Sequence, residues 1–204
     1  MVRTAESIVI FSGSGLSKAS GVPTYRDMDD PIWQTHDPKM YGSRHGLVNH
    51  TDEVLAQYKR WRADLAELTP NLAHQAIAKC DKVTAHITQN VDDLSERAGK
   101  PAIHLHGEIM KDRVDPELGV MRPNVVLFGE CLPLNEMSIA HEKMKEADLL
   151  IAIGTSLEVQ PAASLWTEIA GHNSIFINPN QSYPVGLSIN APVENVLQTI
   201  LPAR

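Results

Sequence analysis

The chain has 204 residues, of which 43% are hydrophobic and 21% charged, with a formal net charge of −7. That composition excludes disordered, collagen-like and coiled-coil classes, and the length suits one domain over residues 1–204 with room for a small inserted lobe. The negative balance repels phosphate backbones and no basic run offsets it, so nucleic acid is not an expected partner.

Cys80 and Cys131 are the only cysteines. They are too few for a disulfide framework or a four-cysteine zinc site, and suit the reduced thiols of a cytoplasmic protein. The longest apolar runs, at 8–11, 125–128 and 149–153, fall short of the ~20 residues that cross a membrane. Glu6 stands where a secretory leader needs its apolar segment, so a cytoplasmic chain without a membrane partner is expected.

In chain order, the first apolar run is Ser7–Phe11, followed by the glycine-rich segment 13–23. Residues 28–69 differ: turn residues at Asp29-Asp30-Pro31 and His36-Asp37-Pro38 lead into helical spacing from Asp52 to Glu67, which predicts an inserted lobe. Further strand-like runs are Val83–Thr88, Asn124–Phe128, Asp148–Ile153 and Ser174–Asn178. Helical patterns at Glu136–Ala147 and Pro161–Gly171 separate the last three. Continuous apolarity marks strands buried on both faces, and strand–helix alternation marks a parallel sheet. The expected fold is α/β, a Rossmann-like parallel sheet with helices on both faces plus the small lobe.

Four polar segments follow strands. Gly13-Ser14-Gly15 and Gly21 let backbone approach a pyrophosphate at the start of a following helix; the other reading is a tight turn closed by a glycine. Gln89, Asn90 and Asp92 follow the second strand, as ligand-binding groups or as caps of a helix ending at Gly99. His104 and His106 share one face of an extended segment, where an imidazole is a natural general base or a surface group. Gly154-Thr155-Ser156 joins a buried strand to a helix, with Ser156 facing a phosphate or starting the helix. A parallel sheet brings all four to its carboxyl rim, where they meet in one crevice.

These segments, in this order, resemble the sirtuins, the NAD-dependent protein deacylases. Gly13 to Arg26 is similar to the family's Gly-Ala-Gly…Ser-Gly-Ile-Pro…Phe-Arg loop. Thr88 to Asp92 matches Thr-Gln-Asn-Ile-Asp, His104 to Gly107 matches the His-Gly motif, Arg122 to Glu130 matches Arg-Pro…Phe-Gly-Glu, and Gly154 to Ala163 matches Gly-Thr-Ser…Pro-Ala-Ala. The similarity runs from about residue 7 to about residue 180.

The resemblance implies NAD as cofactor and an acylated lysine of a protein or peptide as substrate. By it, Gly13, Ser14, Gly15, Ser17, Tyr25 and Arg26 lie against the diphosphate and nicotinamide ribose, with Gln89 on ribose hydroxyls. Asn90 and Asp92 hold the nicotinamide amide, while Gly154, Thr155, Ser156, Asn178 and a position near Ala191 meet the adenosine half. Val126 and Phe128 line the acyl-lysine tunnel, and Gly129 and Glu130 offer backbone pairing to the peptide. His106 is the implied base, deprotonating a ribose hydroxyl after the acyl oxygen has displaced nicotinamide.

The chain also departs from the family. A structural zinc on two Cys-x-x-Cys pairs is usual between the His-Gly and Arg-Pro motifs, but 111–121 contain no cysteine, so no metal is expected and 108–122 reads as a shortened remnant of that insertion. Ser95 stands where a histidine commonly follows Asp-x-Leu. Members that grip succinyl or malonyl groups carry Tyr-x-x-Arg; here Tyr58 is followed at that spacing by Trp61, with Arg60 and Arg62 beside it. One residue turns a helix by ~100°. Tyr58 and Arg62 are therefore substrate candidates against plain lobe packing, and short aliphatic acyl groups are expected. NAD hydrolysis, mono-ADP-ribosyl transfer and NAD sensing on the same scaffold are the competing readings, and a monomer is expected.

Overall fold

The computed structural model describes residues 1–23 and 37–201. Its strands are β1 (Ile8–Ser12), β2 (Val83–Thr88), β3 (Ile103–His104), β4 (Gly107–Val114), β5 (Met121–Val125), β6 (Leu149–Ile153), β7 (Ser174–Ile177) and β8 (Leu187–Ile189). Its helices are α1 (Pro38–Tyr41), α2 (Arg44–Asn49), α3 (Thr51–Glu67), α4 (Leu72–Lys79), α5 (Leu94–Arg97), α6 (Leu134–Glu146), α7 (Ala162–Ile169) and α8 (Val193–Ile200).

Six strands form one sheet in the order β3-β2-β1-β6-β7-β8, with every pairing parallel. Counted along the chain, that is the doubly wound order 3-2-1-4-5-6, whose direction of winding reverses between β1 and β6. Side chains alternate across the pleat into two apolar layers. Ile8, Ile10, Leu149, Ile151, Ile153 and Ile177 face α4 and α8 through Ile77 and Leu197. Val9, Phe11, Leu150, Ala152 and Phe176 face α6 and α7 through Met144 and Trp166. Burial on both faces explains why these strands read as unbroken apolar runs.

The run Asn124–Phe128, expected as a strand of the main sheet, lies elsewhere. Its first half ends β5, which pairs antiparallel with β4 in a separate two-stranded sheet. The burial pattern explains the difference: Val125 and Leu127 are buried, whereas Phe128 is 55% exposed, so only one face is covered. That covered face joins Leu47, Val54, Tyr58 and Ile109 in a third apolar cluster, shared by the β4–β5 hairpin with α2 and α3 of the lobe.

Candidate active site

Every candidate loop leaves the carboxyl end of a parallel strand. The loops after β1 and β6 meet at the point where winding reverses. Gly13 N–H donates to the Ile153 carbonyl at 3.0 Å and Gly15 N–H to the Gly154 carbonyl at 2.8 Å. A Cβ on Gly15 would stand 2.6 Å from the Gly154 Cα; one on Gly154, whose φ is +57°, would stand 2.6 Å from Leu16 N. Only hydrogen fits there, so glycine at both positions is what lets the two loop backbones close on each other at the rim. Where the sequence suggests a helix starting behind the glycines, the described residues form two short 3-10 turns, Ser14–Leu16 and Lys18–Ser20, closed by Gly21 at φ +98°. Tyr25 and Arg26 lie outside the described residues.

Ser17 is fully buried and joins the first loop to the second. Its hydroxyl donates to Asp92 Oδ2 at 2.8 Å and accepts from Asn90 Nδ2 at 3.0 Å. The other oxygen of Asp92, Oδ1, accepts the Leu94 N–H at 3.2 Å at the start of α5, in keeping with the capping reading. Burial pushes the Asp92 carboxyl above its usual range, against the hydrogen bonds from Ser17 and Leu94. Beneath them, Thr88 Oγ1 accepts the Asn90 N–H at 3.0 Å and the Ser12 hydroxyl at 2.8 Å.

Gln89 Nε2 donates to Thr155 Oγ1 at 2.9 Å, tying the β2 loop to the β6 loop. Asn178, at the end of β7, donates through Nδ2 to the Thr155 carbonyl at 2.8 Å. The Ser156 carbonyl accepts from Gln181, and Ala191 follows β8 with its N–H on the Ile189 carbonyl. Gly13, Gln89, Asn90, Gly154, Thr155, Asn178 and Ala191 thus follow five strands along one rim.

The two histidines divide the next task. His106 Nδ1 lies 2.8 Å from the Gln89 carbonyl, which can only accept, so Nδ1 carries the proton and Nε2 keeps its lone pair. Burial lowers the His106 pKa, which favours that neutral form. The His106 carbonyl accepts the Val126 N–H at 2.8 Å, so this histidine abuts the segment 126–130. His104 donates from Nδ1 to the Asn90 carbonyl at 2.9 Å and faces Glu96 Oε1 through Nε2 at 3.1 Å. Burial opposes its charge, but Glu96 and the carbonyl outweigh that and raise its pKa; the same pairing overrides burial at Glu96 and lowers it to about 2. Nothing in the local sequence marks Glu96 as a member of this network, whereas Thr88 opens the Thr88–Asp92 motif.

Segment 127–130 docks on the lobe: Phe128 N–H donates to the Gly42 carbonyl at 2.8 Å and Arg44 N–H to the Phe128 carbonyl at 2.9 Å. Tyr58 and Arg62 sit in that lobe. Tyr58 packs edge-on to Trp61 with ring centroids 5.1 Å apart. Arg62 donates from Nε to the Ile109 carbonyl at 2.5 Å, and from Nη2 to the Lys111 carbonyl at 2.8 Å and to Asp112 at 2.6 Å.

A tetrathiolate metal has no donor set here. Cys80 is buried in the main core and Cys131 is exposed beyond Glu130. Among the described residues no group of three or more His, Cys, Asp or Glu side chains is placed to hold a metal.

The Sir2 family model matches residues 13–116 and 113–161. The chain belongs to the Sir2 family. Among curated relatives, the "NAD-dependent protein deacylase" of Helicobacter pylori strain 26695 is 39% identical over 97% of this chain and 96% of its own length. The protein of the same name from Aggregatibacter actinomycetemcomitans is 36% identical over 86% and 95%. Among solved structures, a Sir2 homologue–NAD complex superposes with a TM-score of 0.83 at 31% identity, covering 98% of this chain and 90% of that one. A Sir2 homologue bound to ADP-ribose reaches 0.86 at 30% identity, covering 98% and 92%. The Sir2 fold therefore accounts for the sheet order and for the convergence of loops at its rim.

Proposed function

We infer that this Sir2 chain is an NAD-dependent protein lysine deacylase: it moves the acyl group of an acyl-lysine to ADP-ribose and releases nicotinamide. The observation that carries the reading is the placement of His106, a neutral imidazole with a free Nε2 lone pair. Its ring is held by the carbonyl of Gln89, the residue before Asn90, and its own carbonyl by the Val126 N–H.

The glycine cradle fits NAD. Gly13, Gly15 and Gly154, with Ser14, would hold the diphosphate, Gln89 the ribose hydroxyls, and Thr155, Ser156, Asn178 and Ala191 the adenosine half; Tyr25 and Arg26 complete the set by motif. NAD supplies a ribose carbon that accepts the acyl oxygen as nicotinamide departs. Asn90 and Asp92, one donating and one accepting, would orient the nicotinamide amide, with the burial of Asp92 helping to keep water from the reacting bond. His106 Nε2 would take a proton from a ribose hydroxyl, with Nδ1 anchored on the Gln89 carbonyl so that the ring presents the right nitrogen.

For the substrate, Val126 and Phe128 would flank the lysine stem, while Gly129 and Glu130, in the turn that follows, would offer backbone groups to the peptide. With Arg62 engaged on β4, short uncharged acyl groups fit better than succinyl or malonyl ones. Residues 1–204 act as one catalytic domain, with the 28–69 lobe and the 108–122 hairpin as its appendages.

The test incubates protein and NAD with acetyl, propionyl, crotonyl, succinyl and malonyl lysine peptides, beside His106→Ala, and reads the products by mass spectrometry. O-acyl-ADP-ribose with free lysine supports deacylation. Free ADP-ribose with intact peptides overturns it in favour of NAD hydrolysis.

A further inference from the structure

The tip of the β4–β5 hairpin falls in the interval where the sequence resemblance leads one to expect a zinc, and the structure puts something else there. Asp115, fully buried, stands at the turn of the hairpin with its N–H on the Val120 carbonyl at 2.8 Å. Its Oδ2 accepts from Arg44 Nη1 at 2.5 Å and Arg122 Nε at 2.9 Å. Its Oδ1 accepts from Arg44 Nη2 at 3.0 Å and from the N–H groups of Glu117 and Leu118 at 3.1 and 2.9 Å.

The network continues toward the docking segment. Arg122, 3% exposed, pairs through Nη2 with Glu130, and Arg113 pairs with the other oxygen of Glu130 at 2.7 Å. Arg113 and Arg122 face each other across β4 and β5, where like charges repel; the Glu130 carboxylate between them reverses the sign. Glu130 Oε2 also accepts the Leu127 N–H at 2.9 Å, which closes the turn 127–130. With Glu117 on Arg44 at 2.6 Å, three guanidinium groups balance three carboxylates.

Arg44 links the two ends of this network: its guanidinium holds Asp115, and its own N–H holds the carbonyl of Phe128. We propose that this ion-pair network stands in for the missing structural metal, and that Asp115 and Arg122 are positioning residues that set the acyl-peptide docking segment 127–130 through Arg44 and Glu130. The proposal rests on the deacylase reading. A buried charge stripped of its partner is strongly unfavourable, so the network holds one geometry or fails as a unit. Bidentate guanidinium forks define direction as well as distance, which a single lysine ammonium does not. A coordination sphere would serve the same end, fixing the tip of a hairpin.

The experiment measures steady-state kinetics with an acetyl-lysine peptide and NAD for wild type, Asp115→Asn, Arg122→Met and Arg122→Lys, and repeats the wild type after dialysis against a strong chelator. A docking segment displaced by about 1 Å loses roughly tenfold to a hundredfold in productive binding. The expected result is a peptide KM raised by that factor in Asp115→Asn and Arg122→Met, partial rescue in Arg122→Lys, an unchanged NAD KM, and a wild type indifferent to chelation. An unmoved peptide KM, a parallel rise in both KM values, or loss of activity on chelation overturns the proposal. If Asp115→Asn does not fold, the more exposed Arg44→Lys and Arg113→Met are read for the same split between the two KM values, with the same consequences. A wild type inert toward every peptide overturns the deacylase reading itself, whereas an active wild type with unaffected variants overturns only the positioning role.

Discussion

The hydroxyl of Ser17 and the carboxylate of Asp92 meet at 2.8 Å across 75 residues of chain, each buried, with Asn90 donating to the same hydroxyl. A hydrogen bond to a charged group contributes ~1.5–3 kcal/mol, equivalent to roughly tenfold to a hundredfold in affinity. Asp92→Asn is therefore expected to raise the nicotinamide inhibition constant by about that factor while the fold is kept. An unchanged constant, measured in a base-exchange assay, would remove Asp92 from nicotinamide capture.

His106→Ala is expected to lower kcat for deacylation by roughly a hundredfold to ten-thousandfold, the usual worth of a general base. NAD affinity, read by calorimetry, should stay within about threefold. Because burial lowers the pKa of His106 from its ordinary value of 6.5, the base stays unprotonated down to below that pH. Activity should hold from about pH 8 to about 6.5 and fall as pH drops further. An acid limb centred above about pH 7 would contradict this assignment.

Gly154→Ala places a Cβ 2.6 Å from backbone atoms of Gly15 and Leu16, at a φ of +57°. A strained left-handed residue costs ~1–3 kcal/mol before any clash is counted. The variant should show a lower Tm and a weakened NAD affinity together, measured by thermal shift with and without the nucleotide. Gly119→Ala, at φ +66° but with open space around it, should affect only stability.

Arg62→Ala removes donors from the Ile109 and Lys111 carbonyls and from Asp112. The expected effect is a lower Tm with the ratio of acetyl to succinyl turnover unchanged. A selective loss of succinyl or malonyl activity would instead place Arg62 on the acyl group.

Stability should fall in acid. His74 and His86 are buried, and their pKa values drop from 6.5 to about 4 and about 3. Between about pH 6.5 and 4 the unfolded chain binds protons at these positions and the folded chain does not, so each contributes a loss of ~1.4 kcal/mol per pH unit as pH falls. His104 acts in the opposite direction, since its pKa is raised and its contribution is present below 6.5, but it is one group against two. Glu96 and Asp115, both lowered, add their losses only below the ordinary carboxylate range. His74→Leu removes a ring whose two nitrogens have no partner among the described residues, and should flatten the Tm-against-pH curve between about pH 7 and 5. A curve as steep as that of the wild type would contradict this.

The main sheet was legible because strands covered on both faces leave an unbroken apolar run: β1, β2, β6 and β7 each coincide with one. The same rule misleads at Asn124–Phe128, where an apolar run spans a one-sided strand and a docking turn. The short strand β8, whose middle residue is Ser188, carries too little apolarity to stand out. The rim loops were visible as glycine and amide motifs. The ion-pair network was not, because its partners are set by tertiary approach: Arg44 and Asp115 lie 71 residues apart, and each alone reads as an ordinary surface charge.

His104 and His106 carry the same side chain, two positions apart, and each spends its near nitrogen on a carbonyl of neighbouring residues Asn90 and Gln89. They differ only at the far nitrogen, where one meets a carboxylate and the other meets no side chain among the described residues. That single difference raises the pKa of one ring and leaves the other, its pKa lowered by burial, with a nitrogen able to accept a proton. A duplicated residue has thereby divided into a fastener and a reagent, and exchanging Glu96 for a neutral group would make the two rings compete for the same part.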